Sequence, residues 1–201
     1  DTHMILREKY LSEIRPFYDS DLIKIITGVR RCGKSIILEQ INTEISKKSS
    51  NIIYLDFEDR AVTSNLTSWQ DIVDYIDSNR DTNELCHVFL DEIQTIDNWS
   101  IACKTLRKHN CSLFITGSNS KLLSREFTKE LSGRYVAFHI RPFVYRELYE
   151  YGKKQLEDAG IEEAALDARL LLEYICHTDR NALLVHGDSV RNDLEEQFYR
   201  T

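Results

Sequence analysis

Three short stretches carry side chains that could act on a phosphate. Residues 28–35 read GVRRCGKS and meet G-x-x-x-x-G-K-[ST] at every defined position. Glycines let backbone N–H groups close around phosphate oxygens. Lys34 can reach the β- and γ-phosphates, and the Ser35 hydroxyl can ligate Mg²⁺. A helix that starts here adds its positive dipole end. Gly28, Val29, Arg30, Arg31, Cys32, Gly33, Lys34, Ser35 and the following Ile36 are therefore the candidate nucleotide-binding residues. Ile36 stands where many such loops place a second hydroxyl, so a side-chain contact to the α-phosphate is expected to be missing. Cys32 admits two readings: an acidic, oxidation-sensitive thiol beside Lys34 and a helix N-terminus, or an inert small residue. Arg30 and Arg31 either contact phosphate or pair with strand-end acids such as Glu58.

The second stretch is VFLDEIQ, residues 88–94, which puts two acids at the end of an apolar strand. Asp91 is expected to hold the hydration shell of Mg²⁺, and Glu92 to polarise the attacking water as a general base. The third is LFITGSNS, residues 113–120. Asn119 is the preferred water-positioning or sensor residue, with Ser118 next. The alternative is a turn and helix cap built from Gly117, Ser118 and Ser120. Beyond it, LSGRY places Arg134. A guanidinium is always charged and binds in a fork, so it suits the γ-phosphate of a neighbouring subunit in a homo-oligomer. A surface or salt-bridging arginine is the other reading.

These residues need rigid elements to hold them. Residues 22–27 (LIKIIT) form an apolar run broken only by Lys24 and end at the first glycine of the loop. Residues 35–47 follow with Ile37, Leu38, Ile41 and Ile45 at helical spacing. Residues 51–57 (NIIYLDF), 88–90 (VFL), 113–116 (LFIT) and 135–140 (YVAFHI) read as further strands. Helices are expected around Trp69, Ile72, Val73 and Ile76, over residues 99–109, and over residues 120–131 with Ser120 as N-cap. Buried strands alternating with helices predict a parallel sheet covered on both faces. Pro16 and Pro142, the only prolines, lie outside these elements. After Pro142 the pattern is helical and acidic, with Ala164, Ala168, Leu171, Leu172 and Ile175 as an apolar stripe.

Composition narrows the classes. At 201 residues, 42% hydrophobic and 29% charged, the chain can bury a core and stay soluble. No apolar run approaches the ~18 residues of a membrane span, and no secretory leader is expected. Cys32, Cys86, Cys103, Cys111 and Cys176 contain no Cys-x-x-Cys pair, so zinc is not expected and the reading is a reduced, cytoplasmic protein. The net charge of −7 is uneven: residues 145–201 hold 13 acidic and 7 basic residues, and residues 1–144 hold 20 and 19. Neither part has the basic excess of a nucleic-acid binder. No Asn-Lys-x-Asp motif appears, so ATP is preferred to GTP.

Taken together, GVRRCGKS, YLDFED, FLDEIQ, ITGSNSKLLS, LSGRY and IRPFVYREL resemble the bacterial and archaeal AAA-type ATPases whose full-length members carry a C-terminal domain of unknown function. The resemblance covers residues 5–149. It implies a P-loop NTPase α/β fold, a parallel sheet of order 5-1-4-3-2 with helices on both faces, over residues 5–144. Lys34, Glu92, Asn119 and Arg134 would take catalytic roles, Ser35 and Asp91 would hold metal, and ATP/ADP with Mg²⁺ would be the cofactors. The family's usual continuation is absent. Residues 145–201, with AGIEEAALDARLLLEY at their centre, are similar to the N-terminal helical domain of release-factor glutamine methyltransferases. That domain recognises a release factor, so the tail is a small acidic helical domain, or a lid-like segment, that could dock a protein partner. The methyltransferase's own Gly-rich loop and Asn-Pro-Pro-Tyr motif do not occur here, which excludes methyl transfer by this chain.

The expected function is Mg²⁺-dependent ATP binding and hydrolysis. The alternative is a nucleotide-binding switch or adaptor with negligible hydrolysis. The adenine pocket is expected near Leu6, Tyr10 and Ile14.

Overall fold

In a computed structural model, the described residues are 6–29, 32–117, 122, 124, 129–141 and 145–175. Residues 6–140 form one compact unit, and the helices after residue 141 belong to a second.

The first unit is built on β1 (Ile23–Gly28), β2 (Ile52–Asp56), β3 (Cys86–Asp91), β4 (Cys111–Gly117) and β5 (Tyr135–Ile140). All paired strands run parallel. Their order is β2-β3-β4-β1-β5, which is 5-1-4-3-2 read from the other edge. The three central strands β1, β3 and β4 are buried at every residue, whereas β2 and β5 are only partly buried. That is why the central strands read as near-continuous apolar runs.

Alternate side chains feed two cores, because successive Cβ atoms point to opposite faces. Ile25, Val88, Leu90, Leu113 and Ile115 join α4 (Trp69–Asn79) and α5 (Trp99–Lys108) through Ile72, Ile76, Trp99, Ala102 and Leu106. On the other face Ile26, Phe89, Phe114 and Phe138 join α1 (Glu8–Ile14) and α2 (Lys34–Ser46) through Leu11, Ile14, Ile37, Leu38 and Ile41. Stacked rings cross this second face, Tyr54 on Phe89 at 5.6 Å and Phe89 on Phe114 at 4.8 Å between centroids.

The helix starts are chemically marked. At α4 the Ser68 Oγ accepts from Asp71 N at 3.2 Å, and Asp71 Oδ2 accepts from Ser68 N at 3.0 Å, a reciprocal capping box. The four-residue α3 (Arg60–Thr63) is capped by Asp59. Of the helix read over residues 120–131, most lies outside the described residues.

Lys24 is the exception in β1. Its side chain is fully buried, with Nζ donating to Ser20 O at 3.0 Å and to Ser112 Oγ at 2.6 Å, and lying 4.6 Å from the Phe114 ring centroid. Burial pulls its ammonium down to about 7, against a weaker raising pull from Asp19 and Asp21.

The second unit contains α6 (Tyr145–Asp158) and α7 (Ala164–Ile175). Ala164, Ala168 and Leu172 of the predicted stripe are buried, together with Leu148 of α6. Leu171 is half-buried, and the side chain of Ile175 lies outside the described residues. Among the described residues no helix is long and apolar enough to cross a membrane.

Candidate functional site

The chemistry-bearing residues gather at the C-terminal edge of the sheet. β1 ends at Gly28 and β3 at Asp91. Thr27 is in register with Gly117 of β4, and Asp56 of β2 with Asp91. This edge is where α/β sheets take ligands, because the turns into the helices splay open there.

The loop after β1 needs its glycines. A Cβ on Gly28 would lie 2.4 Å from Ile140 O of β5 and 2.5 Å from Cys32 Sγ. Gly33 has φ 90° and serves as the N-cap of α2, a left-handed conformation that glycine adopts without a steric penalty. The helix then starts at Lys34, and Ile37 N donates to Gly33 O at 3.1 Å. The amides of the first turn have no intrahelical acceptor, a geometry that suits an anion. Ser35 is exposed on that turn, and Ile36 is half-buried. Lys34 is buried, its Nζ donating to Gly28 O at 3.3 Å and Val29 O at 3.1 Å. Its ammonium is thus folded onto the carbonyls of its own loop.

Glu92 meets this lysine from the next strand but one. Its Oε1 is 3.7 Å from Lys34 Nζ. Glu92 itself has φ 58° and ψ 42°, left-handed for a residue with a side chain, at a cost on the order of 1–3 kcal/mol. Thr116 of β4 holds the strained junction. Its Oγ1 donates to Asp91 Oδ1 and accepts from Glu92 N at 2.9 Å. Asp91, also buried, accepts a second bond from Tyr54 OH at 3.3 Å. Asp56, Asp91 and Glu92 put three carboxylates at this edge. Burial first, and then the Asp91 carboxylate, pushes the Tyr54 hydroxyl up. Burial, and then Asp91 and Asp56, also raises the Glu39 carboxyl. Such a field suits a cation.

The predicted residues divide into three groups. Gly28, Val29, Cys32, Gly33, Lys34, Ser35, Ile36, Asp91 and Glu92 all lie at this edge. Arg30, Arg31, Ser118 and Asn119 lie outside the described residues. Arg134 is elsewhere. It immediately precedes β5, and its carbonyl accepts from Ile23 N at 3.1 Å at the opposite end of the sheet. The six residues of β5, at ~3.3 Å each, put it roughly 20 Å from its own phosphate loop.

Two expectations are answered by burial. Cys32 is the inert alternative: it is 1% exposed, and desolvation pushes its thiol up against the lowering pull of Lys34 and Arg7. Tyr10 and Ile14 are packed into the core against α2, so of the suggested adenine contacts only Leu6 is exposed.

Three site residues escaped the sequence. Thr116 sits in an apolar strand and looks like an ordinary β-branched residue. Tyr54 looks like core. Arg7 is buried, with Nη1 donating to Cys32 O at 3.3 Å and its own amide donating to Gln40 Oε1 at 3.1 Å, so it braces the loop from α1's start.

A family described as "AAA domain" matches residues 20–149, and one described as "PrmC N-terminal domain" matches residues 147–201. An uncharacterized protein of Haemophilus influenzae is 37% identical over 150 residues, covering 72% of this chain and 37% of that protein. The uncharacterized protein MJ1544 of Methanocaldococcus jannaschii is 38% identical over 156 residues, covering 76% of this chain and 34% of that protein. This chain thus spans about a third of the length of these relatives. Among solved structures, a RuvB variant of Thermotoga maritima superposes with a TM-score of 0.52 at 15% identity, covering 98% of this chain and 69% of that one. Saccharomyces cerevisiae Rif2 gives 0.52 at 16%, covering 85% and 70%. At these identities the likeness is one of fold.

Proposed function

We propose, since this chain belongs to the AAA domain family, that it binds ATP with Mg²⁺ and hydrolyses it at the C-terminal edge of the sheet. The observation that carries this reading is the approach of Lys34 Nζ to Glu92 Oε1, 3.7 Å, from two elements far apart in sequence. A phosphate-binding lysine and a carboxylate general base have to share one small space for hydrolysis, and the closeness of Lys34 and Glu92 supports those roles.

The chain's own groups fit the cofactors. The cradle that a Cβ at Gly28 would fill, the exposed first turn of α2 and the Lys34 ammonium suit a triphosphate. Ser35 and Asp91 would hold Mg²⁺; two protein oxygens completed by phosphate and water are a usual set for that ion. Bound Mg²⁺ would supply charge neutralisation between the phosphates. Asp91 is fixed for this by Thr116 and Tyr54. Lys34 leaves the loop carbonyls for the phosphate, and Glu92 then accepts the proton of the attacking water. Asn119 and Ser118 are the proposed contacts to the γ-phosphate side, and Arg30 and Arg31 complete the proposed loop.

A second reading is a nucleotide-loaded switch that hydrolyses negligibly as a single chain. The position of Arg134 at the far end of the sheet favours it. A guanidinium that completes the site only from a neighbouring subunit is worth ~10³–10⁵ in rate. In either reading residues 147–201, with their match to a PrmC N-terminal domain, are the candidate docking segment for a protein partner.

The test is phosphate release from ATP with Mg²⁺ over a wide range of protein concentration, for wild type and Glu92→Gln. Turnover per subunit that rises with concentration and vanishes in Glu92→Gln supports an assembled ATPase. Tight nucleotide binding without turnover at any concentration overturns hydrolysis and leaves the switch.

A further inference from the structure

The two carboxylate oxygens of Glu92 face different partners. Oε1 looks toward Lys34 Nζ at 3.7 Å. Oε2 accepts a hydrogen bond from Gln94 Nε2. A carboxylate only accepts, so the NH₂ end of the amide must meet it and the amide oxygen must point away. That oxygen, Gln94 Oε1, is buried and has no hydrogen-bond partner among the described residues. It lies against the tip of β4: a Cβ on Gly117 would be 2.2 Å from it. Gln94 belongs to the short 3-10 turn Ile93–Thr95 directly after the strained Glu92.

An unsatisfied buried amide oxygen is costly, and a native structure keeps few of them. Here the cost accompanies a defined geometry. The carboxamide is wedged between the bare backbone of Gly117 and the carboxylate, so it has little room to turn. It takes one oxygen of Glu92 and leaves the other on the phosphate side.

We propose that Gln94 is a positioning residue for Glu92. Its amide anchors Oε2, which keeps Oε1 turned toward the phosphate loop, and Gly117 provides the space that fixes the amide. The proposal rests on the hydrolytic reading given above. It follows that Gln94 acts on the chemical step through Glu92 and leaves nucleotide affinity unchanged.

The experiment measures kcat, KM and ATP affinity on the full chain for wild type, Gln94→Ala and the similar-sized, uncharged Gln94→Met, which lacks the donor. It adds Glu92→Asp, the double variant Gln94→Ala/Glu92→Asp, and Glu92→Gln. Misplacing a reacting group by about an ångström costs up to ~10²-fold. Both Gln94 variants should therefore lose about 10- to 100-fold in kcat with ATP affinity unchanged. In the Glu92→Asp background, whose shortened carboxylate no longer reaches the amide, Gln94→Ala should cost nothing more. Urea midpoints establish that each variant is folded, and Gln94→Met serves where Gln94→Ala does not fold. Full kcat in a folded Gln94 variant, or the same loss in both backgrounds, overturns the positioning role while leaving hydrolysis by Glu92 intact. Wild type without turnover, or turnover indifferent to Glu92→Gln, overturns the hydrolytic reading and this proposal together.

Discussion

Thr116→Val tests how the site is braced, and it does so without any ligand. The Thr116 side chain is fully buried. Its hydroxyl donates to a carboxylate oxygen of Asp91 and accepts from Glu92 N at 2.9 Å. Valine has nearly the same shape, so no cavity opens. What goes is one hydrogen bond to a charged group, on the order of 1.5–3 kcal/mol, and what remains is a part-buried amide without its acceptor, roughly 1–3 kcal/mol. The added methyl returns about 0.8 kcal/mol. The net loss should be about 2–5 kcal/mol. Thr116→Ser keeps the hydroxyl and loses one methyl, about 1 kcal/mol. Urea unfolding of wild type and both variants gives the order directly: the valine variant should have the lowest midpoint, with slopes unchanged. Transfer free energy alone predicts the reverse order. A valine variant as stable as the serine variant, or more so, refutes the bridge between Asp91 and Glu92.

Other consequences follow from burial and reach. Lys24 keeps its proton up to an ordinary value near 10.5 when unfolded, but loses it through about 7 when folded. The unfolded chain therefore binds more protons between these values, and stability should rise with pH, by roughly 2 kcal/mol from pH 7 to 9. Lys24→Met should remove that rise, and parallel pH–stability curves for the two proteins would contradict it. Gly28→Ala must displace the Ile140 carbonyl or Cys32, at about 1–3 kcal/mol. It should also abolish binding of a fluorescent ATP analogue, which equilibrium titration checks. Cys32 should alkylate far more slowly in native than in urea-unfolded protein, as peptide mass spectrometry of a timed iodoacetamide reaction would read, because it is buried with a raised thiol. Mixing Glu92→Gln with Arg134→Ala, each inactive alone, should restore turnover if Arg134 serves a neighbour's site; a mixture as inactive as its parts denies that role.

What the sequence disclosed was local. The loop of residues 28–35 announces itself because all its chemistry lies within eight consecutive residues and the flanking strand and helix are strongly patterned. β3 and β4 are legible because burial on both faces makes them apolar throughout. The supporting contacts are another matter. Thr116 meets Asp91 across 25 positions, Tyr54 meets Asp91 across 37, and Arg7 meets Cys32 across 25. Only the strand order makes these pairs neighbours, and each residue type is unremarkable in its own segment. Lys24 shows the opposite failure. It reads as a polar break in an apolar run, yet it is buried to the tip and satisfied by Ser20 and Ser112. α1 is a related case: Tyr10 and Ile14, read as lying near an adenine pocket, are packed on α2.

The sheet's parallel order separates the predicted catalytic residues by which end of a strand they flank. Lys34 follows β1, and Asp91 and Glu92 stand at the end of β3, so all three fall on one edge. Arg134 precedes β5, and because β5 runs parallel to β1 with Tyr135 opposite Ile23, it falls on the other edge. No rotamer change spans the length of a strand. In the proposed function these three residues would hold the nucleotide and aim a base at it, whereas the guanidinium would meet a phosphate only on a second molecule. In the proposed function, binding is thus a property of one chain and rapid hydrolysis a property of an assembly. In that reading the parallel topology divides what a single chain would do from what would need two.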